Sequence, residues 1–151
     1  VRRRYEKVEA ELYAFISTIT EEEAEFKPEA GEWNAKQTLA HLILSERSYQ
    51  NWIGEFATGF ESFYDDWGGN LDARVDAIIA VYPTLEEQWQ AFLHTAAETL
   101  ELYARLPEEL LENKGTYFKI AYQALEDPYH PLTHLEQMQA SVEACRQQMP
   151  A

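Results

Sequence analysis

Positive charge is what this chain has least of: 12 lysines and arginines stand against 27 aspartates and glutamates, a formal net charge of −15. Nucleic-acid binders need a basic stripe that releases counterions from phosphate, so neither DNA nor RNA is expected as a partner, and an anionic membrane surface fits no better. A cationic partner protein would suit the charge, although acidity most often serves a solvated surface. Cysteine is nearly absent too. Cys145 alone cannot form an intrachain disulfide, which suits a reducing compartment, and its spacing from Val142 and Met149 in an apolar series marks a core thiol. No run of about 18 apolar residues is present to cross a bilayer, and Arg2, Arg3 and Arg4 lead into a charged amphipathic segment rather than the apolar core of a signal peptide. A cytoplasmic protein is the expectation. Repeats, low-complexity tracts and the alternation of strands are missing as well.

Large apolar side chains are plentiful. Hydrophobic residues make up 46% and aromatics 13% of the 151 residues, enough to offset the entropy of ordering the backbone. That length is the usual size of one domain, so residues 1–151 are expected to form a single one. Tyr5, Val8, Leu12, Phe15, Ile16 and Ile19 recur at three- and four-residue spacing and predict a first long helix ending before Pro28 and Gly31. Asn34 followed by Gln37 matches a capping box and predicts the start of a second, whose stripe runs Leu39, Leu42, Ile43, Tyr49, Ile53 and Phe56, with Gly59 as its stop.

The connection over residues 60–83 is too long for a tight helical hairpin. It holds Trp67, Gly68, Gly69 and Asn70, then a short amphipathic run through Leu71, Val75, Ile78, Ile79 and Tyr82, and reads either as a minor helix packed on the bundle or as a lid. Thr84 and Glu87 make a second capping box, after which Leu85, Trp89, Phe92, Leu93, Ala96, Leu100 and Tyr103 give a third long helix a wide apolar face. Pro107 opens a short acidic turn of helix. The stretch from Tyr117 to Leu125 has no clean period and reads equally as helix or extended chain. Pro128 and Pro131 then set the entry to a fourth long helix carrying Leu135, Met138, Val142, Cys145 and Met149 inward. The economical architecture is all-α, an up-and-down four-helix bundle with a long connection between its second and third helices.

Histidine is also sparse, with four in the chain, and two of them are one helical turn apart in Tyr129-His130-Pro131-Leu132-Thr133-His134. Spacing of i, i+4 points both imidazoles from one face, and the same ridge continues to Met138 and Val142, so the pair faces inward. His41 lies on the flank of the second helix's stripe, beside the small Ser45. In an up-and-down bundle the second and fourth helices run parallel, which brings His41 within reach of the pair. On the residues alone two readings stand open: hydrogen-bonded core histidines, or a metal held by three protein ligands with an open position for water or substrate. His94 lies off the apolar face of its helix and reads as a surface residue.

Gly31-Glu32-Trp33-Asn34 leading into Gln37-Thr38-Leu39-Ala40-His41-Leu42 resembles the entry and second-helix histidine of DinB/YfiT-like proteins. His130-Pro131-Leu132-Thr133-His134-Leu135-Glu136-Gln137-Met138 is similar to that family's closing helix, and Val75-Asp76-Ala77 is a weaker echo. The resemblance covers nearly the whole chain. It implies a four-helix bundle in which the matching His41, His130 and His134 bind a divalent metal, and an activity among thiol-dependent transferases, isomerases or hydrolases. Pro131, between two of the implied ligands, departs from the pattern. Proline is tolerated at the first helical position, which would leave His130 at the cap and His134 inside the helix.

The expected function is therefore a metal-dependent enzyme acting on a small molecule by thiol-dependent transfer or hydrolysis. The ion would polarise an electrophile or favour the deprotonated form of a water or thiol. Imidazole suits zinc, nickel, iron or copper, and the first three are the leading expectations. The alternative is a non-enzymatic bundle that sequesters a metal or a small molecule. Glu46, Asp127 and Glu136 lie near enough in sequence to be outer-sphere partners or bases, but among 27 acidic residues each reads as surface charge, and no catalytic base is assigned. A homodimer is the commonest assembly for such a chain.

Overall fold

Local hydrogen-bonding chemistry starts three of the helices. The computed structural model describes residues 1–60, 70–126 and 129–148. Thr20, Asn34 and Thr84 each accept from the backbone N–H three residues on, and the side chains of Glu23, Gln37 and Glu87 accept in return from the cap residue's N–H. Each reciprocal pair satisfies two donors that a helix start leaves open, and losing the cap side chain costs about 1 kcal/mol.

The helices are α1 (Arg2–Ile16), α2 (Glu21–Glu25), α3 (Ala35–Ala57), α4 (Asp72–Val81), α5 (Leu85–Ala104), a 3-10 turn over Glu108–Glu112, α6 (Lys114–Glu126) and α7 (His130–Gln148). No strand occurs among the described residues, and no helix there is long and apolar enough to cross a membrane. The four long helices form the bundle. α3 packs on α5 and α7, and α1 on the same two, so the order around the bundle is α1, α5, α3, α7. The two histidine-bearing helices, α3 and α7, are therefore direct neighbours.

The core follows the apolar stripes. Leu12, Leu39, Leu42, Ile43, Val75, Phe92, Met138 and Val142 come from five helices and are essentially inaccessible. Each such aliphatic or aromatic side chain contributes about 1.5–3 kcal/mol relative to an exposed position. Cys145 belongs to this buried set, and His94 is exposed. A smaller cluster of Phe56, Leu110 and Ile120, flanked by Trp52, Tyr103 and Leu106, holds α6 and the 3-10 turn against the end of α3.

Gly59 ends α3 with φ +83°, and Phe60 N–H reaches back to Glu55 O at 2.9 Å. The left-handed conformation that this stop needs is one that glycine adopts without steric cost.

The first apolar stripe does not continue as one helix. α1 stops at Ile16, where the N–H groups of Ser17 and Thr18 turn back onto Tyr13 and Phe15, and the Thr20 capping box starts α2. Local capping outcompetes the 3.6-residue pattern here and leaves Ile19 half-exposed between the two. The ambiguous stretch Tyr117 to Leu125 is helical, within α6. The amphipathic run after Leu71 forms α4, which buries Val75 and Ile78 against α3. Trp67, Gly68 and Gly69 of the long connection, with Asp127, Pro128 and Met149, lie outside the described residues.

Candidate metal centre

The Asn34 cap sets the register that places His41 on the inner side of α3, where it is 4% exposed. α7 begins at His130 with Pro131 in its first turn, a place where the missing N–H of proline costs no hydrogen bond. His130 and His134 are thus both in the first two turns of α7, half-buried, and turned toward α3.

The three rings converge. Ring centroids lie 5.5 Å apart for His41 and His130, 4.7 Å for His41 and His134, and 4.7 Å for His130 and His134. Every pair meets edge to face, at 71°, 66° and 87°. One nitrogen from each residue lies within 4.8 Å of those of the other two. Three imidazole nitrogens bound about 2.0 Å from one tetrahedral ion are about 3.3 Å apart. Small side-chain rotations therefore separate the observed cluster from a coordinating one, and the donor set suits a divalent transition metal.

Hydrogen bonds orient the rings. His134 Nδ1 stands 3.0 Å from Gln137 Oε1; with that oxygen as acceptor the His134 proton is on Nδ1 and the Nε2 lone pair faces the cluster. That Nε2 is 3.0 Å from His130 Nε2, a separation at which two lone pairs repel unless a proton or a cation lies between them. Ser45 Oγ donates to the His41 carbonyl at 3.0 Å and stands 3.3 Å from His41 Nε2. Tyr49 lies edge-on to His130 at 6.3 Å. Trp33 covers another side of His41, its ring 5.1 Å away and its indole N–H held by Asp72 Oδ1 at 2.9 Å.

All three sequence-derived ligands are brought together, and His94 is not among them. Of the acidic candidates, Glu136 is exposed and Asp127 lies outside the described residues. Glu46 is not surface charge. It is 2% exposed, accepts from Thr99 Oγ1 at 2.8 Å and from Tyr5 Oη at 3.3 Å, and burial raises its pKa to about 7. The signal was present, since Glu46 falls between Ile43 and Tyr49 on the apolar stripe of α3. Gln137 and Asp72 were also missed as supporting residues. Gln137 could have been found from its i+3 relation to His134. Asp72 reaches Trp33 only through tertiary packing.

Residues 4–143 match the family model described as the DinB superfamily. No curated protein and no solved structure matches the chain.

Proposed function

The chain belongs to the DinB superfamily, and from that premise we propose that it is a metal-dependent enzyme whose His41, His130 and His134 hold one divalent transition metal, zinc, nickel or iron. Its substrate is a small molecule, processed by thiol-dependent transfer or by hydrolysis. The observation that carries this reading is the convergence of three imidazole nitrogens from α3 and α7 within 4.8 Å of one another.

When bound, such an ion supplies Lewis acidity, which polarises an electrophile and favours the thiolate over the thiol. The protein's part is orientation. Gln137 keeps the His134 proton on Nδ1, and a partner of this kind fixes ring orientation and raises ligand basicity. Trp33 and Tyr49 wall the cluster with aromatic carbon on two sides. His130 and His134 lie in the first turns of α7, the positive end of the helix dipole, where an anionic group such as a thiolate is favoured. The lone buried thiol, Cys145, suits a reducing compartment, here taken as the cytoplasm, and the nucleophilic thiol is a separate low-molecular-weight molecule.

The test is to purify the chain without a histidine tag and measure bound metals by elemental mass spectrometry, beside His41→Ala, His130→Ala and His134→Ala. About one ion per chain, lost in the variants, supports the site. Absence of metal after reloading with zinc, nickel and iron defeats it. With the loaded protein, catalytic turnover of an electrophile with a small thiol, or of a hydrolysable substrate, separates the enzyme from a bundle that captures one equivalent and stops.

A further inference from the structure

A buried carboxyl group ordinarily has a cation beside it, and Glu46 has none. It lies where α1, α3 and α5 meet, and its partners among the described residues are two hydroxyls. Thr99 Oγ1 of α5 and Tyr5 Oη of α1 donate to the same carboxyl oxygen, at 2.8 Å and 3.3 Å. The charged group that faces it is Glu9, half-buried one turn beyond Tyr5 on α1. Burial first and Glu6 second raise the pKa of Glu9, and Arg2 opposes them. Arg2 itself is paired with Glu101 of α5 at 3.7 Å. From α5 the group facing Glu46 is the neutral Thr99, whose hydroxyl also accepts from Gln50 Nε2 of α3 at 3.1 Å.

The neutral acid suits this setting, whereas the ionised one has lost its hydration and meets a like charge. Letting water in at the start of α1 relieves that cost most cheaply. Val1 gives α1 no side-chain cap, Arg2 and Arg3 are exposed, and helix starts of this kind open ahead of the core. The same turn is fastened on a second side. Arg4, next to Tyr5, donates to the Leu125 carbonyl near the end of α6 and lies over the Tyr129 ring at 5.2 Å, directly before His130.

We propose that the first turns of α1 are a proton-operated clasp: Tyr5 and Arg4 fasten α3 to the α6–α7 junction while Glu46 is protonated, and both let go when Glu46 ionises. Glu46 is five residues from His41 and bonds to no histidine, so its proton is distinct from those of the cluster. In the closed form the carboxyl pKa is about 7, and hydration on opening returns it to the ordinary 4.5. The closed form is therefore favoured in full below about pH 4.5 and loses that advantage as pH rises through about 7. Those two values make the opening equilibrium rise about tenfold between about pH 6 and pH 8.

Amide hydrogen exchange of the full chain without added metal, read by mass spectrometry at about pH 6, 7 and 8 and corrected for the chemical rate, tests this. The amides of α1 and of residues 123–126 are expected to open ahead of the slowest amides of α5, with the tenfold rise in both segments. Glu46→Gln stays neutral and should abolish the rise in both, with the wild-type circular dichroism retained. Tyr5→Phe removes a donor that favours the ionised form, and should steepen the rise in α1. Arg4→Ala should keep the rise in α1 and lose it over residues 123–126. The clasp is overturned if α1 opens only together with α5, if the rise survives Glu46→Gln, or if residues 123–126 ignore pH. Metal is not part of the readout, so failure of the histidine site leaves this result intact.

Discussion

The indole N–H of Trp33 donates to Asp72 Oδ1 at 2.9 Å, so the residue that packs on His41 is tied to the first residue of α4. The long connection between α3 and α5 is thereby anchored beside the histidine cluster. Asp72→Ala should lower stability by about 1 kcal/mol, the usual worth of such a bond, in urea unfolding. If Trp33 sits beside a bound ion, metal titration will change tryptophan emission in the wild type and much less in Trp33→Phe. Equal responses in the two proteins would place the ion elsewhere.

Gln137 supports His134 from outside the cluster through the 3.0 Å contact to Nδ1. Gln137→Leu removes that acceptor while retaining bulk, and should weaken metal binding by roughly 10- to 100-fold. Loss of any one of the three histidines should cost more. Competition with a chromophoric chelator measures both. Because imidazole must be neutral to ligate, affinity should fall as the medium is acidified, with protons released on binding.

Loaded protein should also be harder to unfold. Free metal at 100 times its dissociation constant adds about 2.7 kcal/mol to the folded state, if the unfolded chain does not bind it. A chelator should reverse this shift in melting temperature, and the triple His41→Ala, His130→Ala, His134→Ala variant should show none. A shift of equal size in that variant would mean that the ion binds among the acidic side chains instead.

Glu46 makes stability depend on pH in an unusual direction for a carboxyl group. Burial is the main cause of its raised pKa, which Glu9 pushes further up and which the hydrogen bonds from Thr99 and Tyr5 oppose. The folded-state value of about 7 lies above the ordinary 4.5, so folding favours the neutral acid. Its contribution is fully present below about pH 4.5 and is lost as pH rises through about 7, a span on the order of 3 kcal/mol at most. Glu46→Gln should flatten that slope when urea unfolding is compared between about pH 5 and pH 8. An unchanged slope would assign the titration to other groups.

Asn34 both caps α3 and donates from Nδ2 to Glu25 O at 3.0 Å, joining the end of α2 to the helix that carries His41. Asn34→Ala should cost about 1–2 kcal/mol, more than Thr84→Ala, whose cap stands at an exposed helix start. Chemical denaturation of the two variants gives the comparison.

Much of this was legible along the chain because its causes are local. A capping box needs residues three apart, as at Asn34 and Thr84, and a helical stripe needs only the 3.6-residue turn, so α3, α5 and α7 could be read from spacing. The inward pairing of His130 and His134 is local for the same reason. The Thr20–Glu23 box carries the same local signature, directly after a stripe whose spacing extends to Ile19. What packing alone decided is different in kind. His41 meets the pair because α3 and α7 are neighbours around the bundle, and Trp33 finds Asp72 across 39 residues of chain. Glu46 is buried rather than solvated because α1 and α5 close over it with Tyr5 and Thr99 as donors. Periodicity states which face of a helix turns inward, but what meets that face depends on helices distant in the chain, and their order around the bundle is not written in any local spacing.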